Sequence, residues 1–294
     1  MNVWRRRKRN SVGKHIEARA PTLFLLFFSA VCQAQDAQQP DAPKPEAAEK
    51  RKAVLQAAKQ YMQGFELRLA AGDKRELKLS ESPLLVFGDP TRANENGTVW
   101  IWGEGRPAAF LEVYHITGIK NRWFHAVTLT GSQTVVMKRA GFTWQPDKAQ
   151  VEPKLLGDAP VPAKKEADRL RQMKEQARRF TSNEFWDPNN SRFELRLMEK
   201  PLHRYQDAAA EIQDGAAFSL ANGTNPEAIL LVEALGKSPE ASRWHFSLAR
   251  LGSAEMSASL DGKEVWHVDV APGKSRIGRH TDPYWAFYEG AVED

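Results

Sequence analysis

The chain has 294 residues, 41% hydrophobic and 27% charged, with nine Trp, 14 Phe and a single Cys, which excludes a collagen, a disulfide-stapled miniprotein and a wholly disordered polymer. The formal net charge is +5, but residues 1–34 hold seven of the 42 Lys/Arg and one of the 37 Asp/Glu, so the remainder carries 35 basic against 36 acidic residues. A basic excess confined to one terminus excludes the usual electrostatic argument for a nucleic-acid or anionic-lipid partner.

The first 34 residues read as a secretory signal peptide. Arg5–Arg9 form a cationic head, Thr22–Val31 an apolar core, and Cys32-Gln33-Ala34 offers small residues at −3 and −1 before Gln35. The apolar run is about ten residues where a bilayer span takes roughly 20. The segment before Cys32 lacks the Leu of a lipoprotein signal, and no Phe-Leu follows the paired arginines as in twin-arginine export. Ordinary export with cleavage near Ala34 is expected, to the periplasm or the extracellular space. Cleavage removes the only cysteine, so the mature chain would have no disulfide, thiolate nucleophile or Cys-ligated zinc. No second apolar stretch is long enough to be a transmembrane segment.

Residues 35–50 read as a disordered Pro/Ala/Gln linker. Beyond it the chain divides into a repeat unit at 51–145, a Pro-rich linker at 146–163, a second unit at 164–270 and a C-terminal tail at 271–294. The division rests on an internal similarity. Glu76–Asp89 lies over Glu194–Asp207 at a constant offset of 118, and Gly97 and Gly105 meet Gly215 and Gly223 at that same offset. After small insertions Pro107 meets Pro226, Arg122-Trp123 meets Arg243-Trp244, Gly131-Ser132 meets Gly252-Ser253, and Trp144 falls opposite Trp266.

Each unit opens on a helical pattern, with Leu55, Ala58 and Met62 as one stripe and Met173, Ala177 and Phe180 as the other. The charged run Lys164–Arg179 forms the solvated side of the second helix. Period-two runs separated by short Gly-containing turns follow, as in Val99–Trp102, Ala109–Ile116 and Arg122–Leu129. Such spacing predicts antiparallel meanders. The expected fold class is therefore α+β: a tandem duplication, each unit an N-terminal helix followed by about five or six strands, the two sheets packed about a pseudo-twofold axis. The aromatic tail segment Pro283–Tyr288 reads as a cover for a sheet edge.

Chemistry-bearing patterns are sparse. No close His spacing suits a metal, and Trp123-Phe-His125 becomes Trp244-His-Phe246, which moves the imidazole to the other strand face between units. Metal and cofactor are both expected to be none. Gly103-Glu-Gly105-Arg-Pro107 leads into a strand, so it reads as a hairpin turn and not as a dinucleotide loop. Glu81/Glu199, Asp89/Asp207 and Glu112/Glu233 keep their places in both units by this reading. Paired acids run glycoside hydrolysis when roughly 5–10 Å apart, which makes Glu81, Asp89, Glu199 and Asp207 the catalytic candidates. Residues repeated in both units read first as folding requirements, with Asp207 as an Asx-turn residue and Arg204 as its ion-pair partner. Trp100 and Trp102 share a strand face and are the ligand-binding candidates, either as a stacking platform or as core.

In the second unit, Pro201-Leu-His-Arg-Tyr-Gln-Asp207, Asp214-Gly-Ala-Ala-Phe218, Gly223-Thr-Asn-Pro-Glu227 and Ile229-Leu-Leu-Val-Glu233 resemble a family of exported bacterial proteins of unknown function. Similar members carry an Arg-Leu-Arg-Gln-Met helix, present at Arg169–Met173, and a Gly-Arg-Pro hairpin, present at Gly97–Pro107. The resemblance covers roughly residues 50–270 and implies an exported protein. It transfers no catalytic residue, and the His-Glu-Phe-His pattern of some relatives is absent at His125.

The function expected is a non-enzymatic binding or scaffolding protein of the envelope or extracellular space, with an envelope glycan or protein as partner. The alternatives are a carboxylate-based hydrolase working in a cleft between the units, or a carrier of a small apolar ligand.

Overall fold

The computed structural model describes residues 45–72, 74–89, 94–116, 122–149, 151–273 and 275–289. The signal segment and the spacer as far as residue 44 lie outside the described residues. Helix α1 (Pro45–Met62) leads into β1 (Glu66–Leu69), β2 (Leu85–Asp89), β3 (Asn94–Trp102), β4 (Ala109–Ile116), β5 (Arg122–Leu129), β6 (Val135–Arg139) and β7 (Phe142–Trp144). After the two-residue β8 (Lys154–Leu155) come α2 (Glu166–Ala177), β9 (Phe180–Phe185), β10 (Phe193–Leu197) and β11 (His203–Asp207). Then follow β12 (Ile212–Asn222), β13 (Asn225–Leu235), β14 (Arg243–Arg250), β15 (Glu255–Leu260), β16 (Lys263–Val268) and β17 (Tyr284–Tyr288).

The expected α+β tandem is corrected by this architecture. The protein is mostly β, 48% strand against 11% helix, in large curled antiparallel sheets. The strand order is not a simple meander either. β9 pairs with β10 on one side and with β15 on the other, which gives a nine-stranded sheet in the order β16-β15-β9-β10-β12-β13-β14-β8, with β11 also on β12. In the first half β1 pairs with β6, and bridges at Arg68–Glu76 and Leu79–Trp102 stitch the sheet β1-β6-β7 to the sheet β17-β5-β4-β3-β2. The spacer expected to run to residue 50 is helical from Pro45 onward.

Burial on both faces of the central strands explains the all-β outcome. In β12, Ala216, Phe218 and Leu220 join Met173 and Ala177 of α2 in one core, while Ala217 faces the other way. That opposite face packs Ala217, Ile229, Leu231 and Leu251 against Phe87, Val99, Ile101 and Phe110 of the first half. Strands covered on both faces read as near-continuous apolar runs, as Ala228–Glu233 does. Each helix fills only the inside of a curl: α1 contributes Ala58 and Met62 to the core that holds Trp100, Trp102 and Trp144.

Backbone bonds recur at the sequence offset. Ser80 and Leu84 donate to Ile101 and Val99, and Met198 and Leu202 donate to Ser219 and Ala217. Thr130 and Gly131 both donate to Ala108, as Leu251 and Gly252 do to Glu227. A Cβ on Gly97 would meet the Phe87 ring at 2.1 Å, and one on Gly215 the Tyr205 ring at 2.6 Å. These two glycines recur because an aromatic side chain lies flat over each. The register also corrects one pairing: Gly97 faces Tyr114 while Gly215 faces Glu233, so the structural counterpart of Glu233 is Tyr114 and not Glu112.

Each curl is closed by a segment from outside its half. The tail strand β17 pairs with β5 from Tyr284–Thr128 to Tyr288–Phe124, and Leu129 adds a bond to Pro283. Trp144 Nε1 donates to Asp282 and Gln145 to His280, which ties the end of β7 to the same tail. The linker is no free spacer. It buries Val151 and Leu156, pairs β8 with β14 and sends Lys154 Nζ to the Val265 carbonyl of β16 at 2.9 Å.

His125 lies on the inner face of β5, stacked on Phe287 at 4.4 Å and Tyr61 at 5.1 Å. Its Nδ1–H donates to the Phe287 carbonyl at 3.3 Å, and its buried Nε2 has no hydrogen-bond partner. Burial lowers the imidazole pKa from its ordinary 6.5 to about 3. The unfolded chain therefore binds a proton that the folded one refuses, and stability falls as pH drops from 6.5 toward 3, by about 1.4 kcal/mol per pH unit from this residue at most. His125→Phe, the residue at the matched position 246, should remove that slope, as read from urea unfolding between pH 7 and pH 4. Phe287→Ala should cost about 3–5 kcal/mol, with hydrogen-exchange protection lost first in β5 and retained in β13.

Candidate functional site

The loop between β3 and β4 brings the two halves together. Gly103 has φ +112°, and the turn carries Gly105 so close to β11 that a Cβ there would meet Asp207 Oδ2 at 2.7 Å. The next residue, Arg106, drives into the second half. Its Nε donates to Glu233 Oε1 at 2.7 Å, its Nη2 to Glu233 Oε2 at 3.4 Å, its Nη1 to the Thr130 carbonyl, and its backbone N–H to Asp207 Oδ2 at 3.2 Å. Tyr205 completes the cluster by donating its hydroxyl to Glu233 Oε1 at 2.6 Å. Side-chain exposure is 8% for Arg106 and zero for Glu233.

Burial alone would lower the Arg106 pKa; the Glu233 carboxylate reverses this and leaves it raised. Burial, and then the same carboxylate, push the Tyr205 hydroxyl well above its ordinary value, so it stays a donor. A buried pair of this kind is a registry device more than a source of net stability. At the opposite end of β12 and β13, Thr224 Oγ1 of their turn donates to the Gly88 carbonyl at 2.6 Å, so the matched turn of the second half docks on the first.

Beside Arg106 opens a cavity of about 630 Å³, walled by the loops after β1, β3 and β5 and by the β11–β12 turn. Its charged wall residues have partners: Lys78 pairs with Glu104 at 3.3 Å, Glu76 with Arg68 at 3.0 Å, and Arg106 with Glu233. A second depression of about 1260 Å³ lies on the other side of the same turn, between the start of α2 and the β13–β14 loop. Gln206 and Ala208 wall both, so the two adjoin across that turn; together they are the trough, and the turn is its sill.

The sequence-derived candidates are not gathered there. Of the candidate carboxylates whose side chains are described, only Asp207 lines the trough, and it is occupied as a turn residue, with Oδ1 accepting the Ala210 N–H at 3.1 Å. Its expected partner Arg204 binds Asp214 instead, at 2.6 Å, with Arg169 on the same carboxylate at 2.8 Å. Glu81 is exposed. Glu199 is exposed and bonded to Arg178 at 2.8 Å, and that guanidinium holds its pKa below the ordinary carboxylate value, the wrong direction for a general acid. Asp89 closes β2 opposite Asn94, and its side chain lies outside the described residues. Trp100 and Trp102 are each 1% exposed in the first core and present no face to a sugar.

What sequence reasoning missed is the junction itself. Arg106, Tyr205, Asp207 and Glu233 all stand within the motifs quoted for the family resemblance, yet nothing local marks residues 127 positions apart as partners. Among the described residues no group of three or more His, Cys, Asp or Glu is placed to hold a metal ion, and no helix is long and apolar enough to cross a membrane. Among the described residues no His or Cys lines the trough.

Arg106→Met should destabilise the protein by about 3–5 kcal/mol, because it strands Glu233 in the interior. Adding Glu233→Leu and Tyr205→Phe should restore most of the loss, as measured by denaturant titration of the three variants. In comparisons with known proteins, no family model, no curated protein and no solved structure matches this chain.

Proposed function

We propose that the chain is an exported, non-enzymatic binding protein of the cell envelope or extracellular space, and that the trough at the junction of its halves is the binding surface. The observation that carries this reading is the pair of adjoining depressions sharing Gln206 and Ala208. Their walls combine donors and acceptors with no nucleophile–base arrangement. The export reading rests on the cationic and apolar pattern of residues 1–34 and on the resemblance to exported bacterial proteins. Duplication of an ancestral unit is supported by the backbone bonds that repeat at the sequence offset.

A carboxylate hydrolase is the competing reading, and Asp207 is the one candidate acid in position to serve it. The two separate in a single set of variants. Ala208→Trp should fill the trough at its sill and abolish saturable binding of an envelope extract to the immobilised protein. Asp207→Asn should leave any background hydrolysis of glycoside and ester substrates unchanged. Turnover by the parent that disappears in Asp207→Asn would replace the binding reading with the catalytic one.

A further inference from the structure

We infer that the trough accepts an extended, uncharged polypeptide segment, an inference that rests on the binding reading above and adds the class of ligand. Two depressions that share a wall at Gln206 and Ala208 suit a chain longer than a single compact molecule. The charges of the first cavity balance, with Arg75, Lys78 and Arg106 against Glu76, Glu104 and Asp207, and those of the second nearly do, with Lys164, Lys237 and the Asp214-paired Arg169 against Glu211 and Glu240. A polyanion would meet no net attraction there, which disfavours nucleic acid or an acidic polymer.

Among the described residues, neither depression has an aromatic side chain in its walls. Stacking platforms for bases are aromatic, and this trough has none to offer a base or a sugar ring. It offers amide and hydroxyl groups at Gln133, Ser132, Gln206, Gln213 and Ser238, together with the bare backbone of Gly103 and Gly105. That is a set matched to peptide N–H and C=O groups spaced along an extended strand.

Arg106 strengthens the case. Its fork is fixed by burial, and the bonds to Glu233 and Thr130 use three of its five N–H donors. With Glu233 and Asp207 already beside it, the guanidinium adds no unpaired positive charge to the cavity wall. At the far end, Val161 is 55% exposed on the wall of the second depression, which gives a small apolar contact for an alternate side chain of the same strand.

The test uses the mature chain with three probes: a degenerate decapeptide library of Ala, Val, Ser, Thr, Asn and Gln, the same library with four positions fixed as Lys or as Glu, and chitohexaose. Native mass spectrometry and calorimetry read binding to the parent, Gln206→Ala and Ala208→Trp, whose unfolding midpoints serve as the folding control. The neutral library should bind at least tenfold tighter than either charged one, weaken several-fold in Gln206→Ala and be lost in Ala208→Trp. Chitohexaose bound in place of peptide, and displaced by Ala208→Trp, would overturn the polypeptide inference while leaving the trough as a binding site. No probe bound while the envelope extract still binds would overturn it in the same way. No binding of probe or extract would overturn both readings.

Discussion

The structure depends on the sealing of each half's strand edge by the linker or the tail. An antiparallel sheet that curls around one helix ends in two rows of unpaired N–H and C=O groups, and left open these rows recruit other chains. Here the first curl is closed by residues 284–288 laid along β5, and the second by residues 154–155 laid along β14 with Lys154 reaching across to β16. Each seal is delivered by chain that lies outside the sheet it completes. These seals fasten the tail to the first half and the linker to the second, while the halves themselves meet in the apolar layer of Phe87, Val99, Ile101 and Phe110 on Ala217, Ile229 and Leu231.

The ion pair at the junction has a different role. Apolar layers tolerate sliding, since their attraction is not directional. Arg106 fixes the register by bonding Glu233, Thr130 and Asp207 at once, and Tyr205 holds Glu233 from the other side. Because the same loop walls the trough, the geometry offered to a ligand is set by the docking of the halves. A disturbance of that docking would reshape the trough without touching either core.

Much of the scaffold was legible in the residues. The recurring glycines at 97 and 215, the Gly103–Pro107 turn and the edge-covering tail follow from local chemistry and have their places in the structure, whereas the second helical stripe stops at Ala177 and its expected third member, Phe180, opens β9. The fold class was misjudged because the pairing of β9 with β15, and of β1 with β6, is long-range and leaves no periodic trace. Alternation in Trp100 and Trp102 reads equally as a platform or as core, and only the position of α1 decides it. The trough was invisible for a simpler reason: its shared wall is Gln206 and Ala208, an amide and a methyl that no motif marks.

The crossed seals also impose an order on synthesis. By the time residue 268 has left the ribosome, the second half possesses all nine of its strands, including the pair borrowed from the linker. The first half, though made earlier, waits for residues 284–288 before its last row of amides is satisfied. Maturation thus runs against the direction of translation, and a chain that stops before residue 284 forfeits the completion of its own beginning.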